Sequence, residues 1–185
     1  MNFSTRHVAL LIGTALATFS FLFFGRRENV YLFLLLSGIL ITAVSLFIIL
    51  IKDTTKEKLL WIGVLAVSIT IQRLAEPWFI KQSFKILIDR NKILFAEVNN
   101  IFMSKPGEVF YLVNSANNAK QFSNEELRGI NELLHQTEVY MIAKNNYRIY
   151  YGTYGMLDVR LGISYFYSDS IPDERFKWIE DRWYH

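Results

Sequence analysis

Three stretches without a single charge constrain this chain more than any other feature. Residues 8–24, 30–51 and 59–72 contain no Asp, Glu, Lys or Arg. Crossing a hydrocarbon core takes about 20 apolar residues, and a water-soluble fold of this size could hardly hide three such runs. The first stretch is 17 residues long and the second 22. The third has 13 strongly apolar residues, 59–71, which Gln72, Leu74 and Ala75 can extend while Arg73 snorkels toward the headgroups. Pro77 then kinks or ends it. Trp61 and Trp78 stand at its two ends, where an amphipathic indole suits a membrane interface. The expectation is three transmembrane helices, at about 8–24, 30–51 and 59–75. A secretory signal peptide is the rival for the first. Bulky Phe21–Phe24 where small residues belong, and Arg26–Arg27 directly after, argue against cleavage.

Short connections at 25–29 and 52–58 make the spans antiparallel neighbours. Small residues can line their contacts: Gly13, Ala15, Ala17, Ser37, Gly38, Gly63, Ala66 and Ser68. No charged residue lies deep within a span, where pumps and transporters place one, so the spans read as an anchor or interaction module. Hydrophobic residues make up 52% of the 185, and the net charge of +3 is unevenly spread. Residues 1–75 hold seven Lys/Arg against three Asp/Glu, whereas 76–185 hold thirteen against fourteen. The basic excess therefore flanks the spans and makes no basic face for nucleic acid. With an outside N-terminus, seven Lys/Arg (Arg26, Arg27, Arg73, Lys81, Lys85, Arg90, Lys92) fall in the cytoplasm against four opposite. That favours a cytoplasmic C-terminal domain in a cell membrane. The absence of cysteine removes disulfides, thiol catalysis and Cys-ligated metals.

After Pro77, residues Ile80, Phe84, Leu87, Leu94, Val98 and Ile101 fall at alternating four- and three-residue spacing, with Asn91 in the one gap. This predicts a juxtamembrane helix over 78–104, about 40 Å long, ended by Lys105–Pro106–Gly107. As a self-associating stalk it would use Asn91 to set register. As an amphipathic helix it would pack on its own domain or on the membrane surface. A hairpin turning at 89–92 is a third reading.

Residues 106–185 read as a soluble α+β domain. Strands are expected at 109–113, 139–143, 147–151, 159–167 and 176–184, as an antiparallel sheet of about five strands. One helix, 124–136, packs on that sheet. It opens with a capping box, Ser123 and Glu126, and with Phe122 and Leu127 placed to form a hydrophobic staple. Lys144–Asn145–Asn146 is a hairpin turn, expected to use asparagine's tolerance of left-handed backbone.

Aromatic density is the best functional signal. Residues 147–184 hold seven of the ten tyrosines and two of the four tryptophans. Neighbours in a strand face opposite sides, so not all of these rings can enter a small core. Tyr147, Tyr150, Tyr151, Tyr154, Tyr165, Tyr167, Trp178 and Trp183 are the candidate interaction surface, since Tyr and Trp dominate interface hot spots. Cross-strand stacking within the sheet would also account for them. Asp158 and Arg160 read as an ion pair or a turn cap, less readily as a catalytic acid with an anion-binding partner. His7, His135 and His185 make no metal set, and Asp169, Asp173 and Glu174 are too sparse for calcium. No phosphate loop or nucleophile motif is present, and no cofactor is expected.

In general terms the organisation resembles small multi-span bacterial proteins with a compact tail domain that serve as accessory or immunity factors. The likeness supplies no residues. The leading expectation is a non-enzymatic, membrane-anchored protein-binding module. The alternatives are a signal-transducing or gating homo-oligomer coupled through Asn91, and a membrane enzyme using Asp158, Arg160 and His135 on a lipid or cell-wall substrate.

Overall fold

The computed structural model describes residues 4–25, 28–113, 115, 118–153, 161–168 and 176–185. The chain divides into two compact units, Met1–Ile80 and Lys81–His185.

The first unit holds helices α1 (Thr5–Ser20), α2 (Glu28–Lys52) and the greater part of α3 (Thr55–Arg90). One 3-10 turn, Phe21–Phe23, follows α1. All three segments are long and apolar enough to cross a membrane. Their outward residues stay apolar: Phe33, Leu40, Phe47, Leu59, Val67 and Leu74 are each at least 60% exposed. Helices α1 and α2 approach closely because Gly13 and Ala17 face Gly38 and Thr42. A Cβ built on Gly38 would lie 2.6 Å from the Ala17 nitrogen and 2.7 Å from the Gly13 carbonyl oxygen. Glycine is obligatory there, as in other close helix pairs. The expected small-residue contacts of α3 differ. Gly63 faces open space, and Ala66 is exposed. Helix α3 meets its neighbours instead through large side chains: Trp61, which clusters with Leu10 and Ile49, and Phe79, edge-on to Phe19. Pro77 lies inside α3 without ending it.

In the second unit the end of α3 is followed by α4 (Lys92–Ser104), β1 (Val109–Leu112), the short α5 (Asn118–Gln121), α6 (Asn124–Gln136), β2 (Val139–Lys144) and β3 (Arg148–Thr153). The chain then forms β4 (Leu161–Phe166), β5 (Trp178–Glu180) and β6 (Trp183–Tyr184). The single helix expected over 78–104 is broken at Asn91. Asn91 caps α4 with φ −119°, and its side-chain amide donates to the Leu87 carbonyl at 2.9 Å. The amide thus takes over a helical carbonyl where the two helices part. The heptad stripe is core: Phe84, Leu87 and Val98 are buried in the second unit. The ring of Phe95, beside the stripe, stands edge-on to Tyr151 and Trp183.

The sheet is antiparallel with strand order β1-β2-β3-β4-β6-β5. One face carries Tyr111, Ile142, Ile149, Tyr151 and Ile163, all buried. Helices α4 and α6 pack against each other where Gly129 meets Glu97 and Ile101. The capping box forms as expected: Ser123 Oγ accepts from the Glu126 N–H, and Glu126 accepts from the Ser123 N–H at 2.7 Å. Lys105 completes it by pairing with Glu126. Together with the Ser123 N–H it holds the Glu126 carboxyl below its ordinary pKa.

Two sheet expectations change. The strand predicted at 176–184 is a hairpin, β5 and β6, reversing at Asp181, whose φ of 42° is left-handed. At the β2–β3 turn, Asn145 works through its side chain, its Oδ1 accepting from the N–H groups of Tyr147 and Arg148. Asp181 is the one non-glycine with positive φ among the described residues.

Candidate functional site

Strand alternation separates the candidate aromatics into two populations. The register sets Tyr150 opposite Ala143 and Ser164, while Tyr151 pairs with Ile142 and Ile163 on the helix-covered face. Tyr151 is fully buried, and its hydroxyl donates to Asn99 Oδ1 at 2.7 Å. Burial pushes its phenol well above the ordinary tyrosine pKa. Trp183 is 7% exposed and packs on Phe95, Tyr151 and Tyr165. Tyr151 and Trp183 therefore leave the expected interaction surface, because the helix layer needs large rings to fill the space above the sheet. Tyr165, half-buried, lines a 360 Å³ recess beside α4 together with Asn99, Asn100 and Lys92.

Tyr147 and Tyr150 gather instead around Arg148. Tyr147 is 39% exposed and leans on Phe166, which also meets Phe176 and Tyr184. Arg148 lies among them. Its guanidinium carbon is 4.7 Å from the Phe176 ring centre, 5.8 Å from Tyr147 and 5.9 Å from Tyr150. One guanidinium nitrogen reaches Ser164 Oγ at 3.4 Å. Among the described residues no carboxylate lies within ion-pairing distance of Arg148, whereas Lys85 and Lys105 in the same unit are paired with Glu180 and Glu126. Beside it opens a 520 Å³ cleft lined by Phe110, Met141, Ala143, Arg148 and Tyr150, with Glu108 and Lys144 also on its walls. A guanidinium is planar by its own resonance, and aromatic faces around it fix the direction of its fork of donors, suited to a carboxylate. Arg148 and Tyr150 are two apart in one strand, so alternation alone places them on one face. Phe110 comes from a strand distant in sequence, and only the sheet order brings it there.

Other described candidates lie outside the cleft lining. Tyr167 donates its hydroxyl to the Asn145 carbonyl. Trp178 is 53% exposed, with the Lys81 ammonium 4.4 Å from its ring centre. His135 is exposed on α6. Tyr154, Asp158, Arg160, Asp169, Asp173 and Glu174 lie outside the described residues. Asn91 is buried in its own unit.

A second polar constellation lies in the first unit, where the start of α1 meets the end of α2. His7 Nε2 is 2.8 Å from Asp53 Oδ2, and Arg6 pairs with Asp53 Oδ1. The His7 ring stacks on Trp61 at 4.4 Å with 9° between planes. The Ser4 N–H donates to His7 Nδ1, so the ring proton belongs on Nε2 and is given to Asp53. The bond from His7, aided by Arg6, holds the Asp53 carboxyl below its ordinary pKa against the opposing effect of burial. His7 and Asp53 are 46 residues apart. The short connection between two spans of similar length is the one signal that could have placed them at the same level.

Compared with known proteins, the chain matches no family model, no curated protein and no solved structure.

Proposed function

We propose that this is an integral membrane protein whose C-terminal domain binds a protein partner through the Arg148 cleft. The observation carrying the reading is a guanidinium without a carboxylate partner among the described residues, framed by Tyr147, Tyr150 and Phe176 beside a 520 Å³ cleft. Tyr and Arg bring large, rigid contact area and paired donors to an interface, and they dominate hot spots. The partner presents a carboxylate to Arg148 and an apolar group toward Phe110, which is 47% exposed. The three apolar helices support the anchor in a cell membrane, and the Lys/Arg distribution supports a cytoplasmic domain. This reading needs no cofactor. It is preferred to the stalk-coupled oligomer because Asn91 already spends its amide on the Leu87 carbonyl. It is preferred to an enzyme because Phe110, Arg148 and Tyr150 meet on one cleft, whereas His135 stands exposed on α6 outside it.

A photo-crosslinking residue in place of Phe110, in cells, tests it. A discrete protein adduct should form and should fall at least tenfold with Arg148→Gln, as loss of a charged hydrogen-bonding anchor requires. Lys177→Gln, an exposed cation away from the cleft, should leave it intact. No adduct, or one indifferent to Arg148, would end the proposal.

A further inference from the structure

The α1–α2 hairpin carries a groove that the protein-binding reading does not use. Its volume is 590 Å³. One wall is a straight row on α2, Leu40, Val44 and Ile48, at four-residue spacing, and the next place in that row is Lys52. The other wall is α1, with Ala9 and then Arg6. From Leu40 to Lys52 the row rises about 18 Å along the helix. A single leaflet of hydrocarbon is about 15 Å deep. The groove is thus an apolar track of one-leaflet length that ends in two cations.

The cationic end has positive charge to spare. Asp53 pairs with Arg6 and accepts the His7 Nε2–H, so its single negative charge offsets Arg6 and leaves Lys52 over. Lys52 is exposed and has no carboxylate within ion-pairing distance among the described residues. The Arg6 Nε is buried and has no hydrogen-bond acceptor among the described residues. The start of α1, with Ser4 and Thr5 on the same groove, adds the partial positive charge of a helix N-terminus.

We infer that this groove is a binding site for one anionic phospholipid, its acyl chain along Leu40, Val44 and Ile48 and its phosphate between Arg6 and Lys52. The charge complementarity selects an anionic headgroup, and the apolar track selects a lipid over a free anion. The inference rests on the placement of α1 and α2 in a bilayer but not on the Arg148 cleft. The two can therefore fail separately.

Native mass spectrometry of the full chain, released from detergent, tests it with phosphatidylglycerol and phosphatidylcholine of identical acyl chains. Phosphatidylglycerol should be retained preferentially as a single adduct. Lys52→Gln should reduce that preference about fivefold, the effect of one cation near a headgroup. Lys58→Gln, a half-buried cation outside the groove, should not reduce it. Val44→Trp, which fills the track without touching charge, should lower retention of phosphatidylglycerol. Millimolar inorganic phosphate should not displace the adduct. Equal retention of the two lipids, equal effects of Lys52→Gln and Lys58→Gln, indifference to Val44→Trp, or displacement by phosphate would each overturn the inference. A melting curve for each variant separates loss of the site from loss of the fold.

Discussion

At the residue scale, one hydroxyl separates two neighbouring tyrosines. Tyr150 lies beside Arg148 on the cleft, and Tyr151 is sealed beneath α4 with its hydroxyl on Asn99. The Tyr151→Phe change keeps the ring and leaves the buried Asn99 oxygen without that donor. A lost buried hydrogen bond of this kind costs about 1–2 kcal/mol. The melting temperature in detergent should fall, while Phe110 crosslinking below that temperature stays intact. Tyr150→Phe, at a half-buried position on the cleft side, should lower the melting temperature less. That the two residues face opposite ways was legible in the strand period. Which of them faces the core was not, because both sides of the strand read as aromatic and only the helix layer distinguishes them.

At the element scale, the clearest local rules survived and the averaged ones did not. The Ser123–Glu126 box sets the start of α6 from four residues, and the Lys105 pair adds to a cap already complete in local sequence. The run 176–184 looked like one strand, since Phe176, Trp178, Trp183 and Tyr184 all favour extended backbone. Glu180, Asp181 and Arg182 instead reverse it, and Asp181 takes the left-handed angle that the turn requires. Asp tolerates this angle, glycine adopts it freely, and a β-branched residue pays about 1–2 kcal/mol. Asp181→Gly should thus hold or raise the melting temperature, and Asp181→Val should lower it. If both variants melt alike, the turn is not what holds β5 against β6. Helix 78–104 failed for a related reason. Its heptad period is continuous through Asn91, but the asparagine amide competes for the Leu87 carbonyl and parts α3 from α4.

At the scale of the whole molecule, two measurements bear on stability and placement. Burial, with Lys177 and Lys81 nearby, pushes the His185 imidazole below its ordinary pKa. The unfolded chain therefore takes up this proton first as pH falls through about 6.5, which favours unfolding. Glu126 acts in the same direction at lower pH: its depressed pKa stabilises the fold above about 4.5, and that contribution is lost as pH falls through the folded value. The melting temperature should drop between pH 7.5 and 5.5, and His185→Gln should flatten that interval alone. An unchanged slope in His185→Gln would assign the loss to other groups. Placement is read with a single cysteine at Ser115, on the cysteine-free background of this chain. A membrane-impermeant maleimide should label it only after lysis if the domain is cytoplasmic. Labelling of intact cells would reverse the proposed sidedness and move the search for partners outside.

What the chain order settles by itself is what short-range physics controls. Charge-free length yields three helices able to cross a membrane, a four-residue cap starts α6, and side-chain alternation splits the aromatics between two faces. Tertiary structure decided what depends on meeting a distant partner. Phe110 joins Arg148 because β1 lies beside β2 in the sheet, and His7 meets Asp53 because Gly13 and Gly38 let α1 lie against α2. Neither encounter leaves a mark in local sequence, since each is fixed by the packing of whole elements.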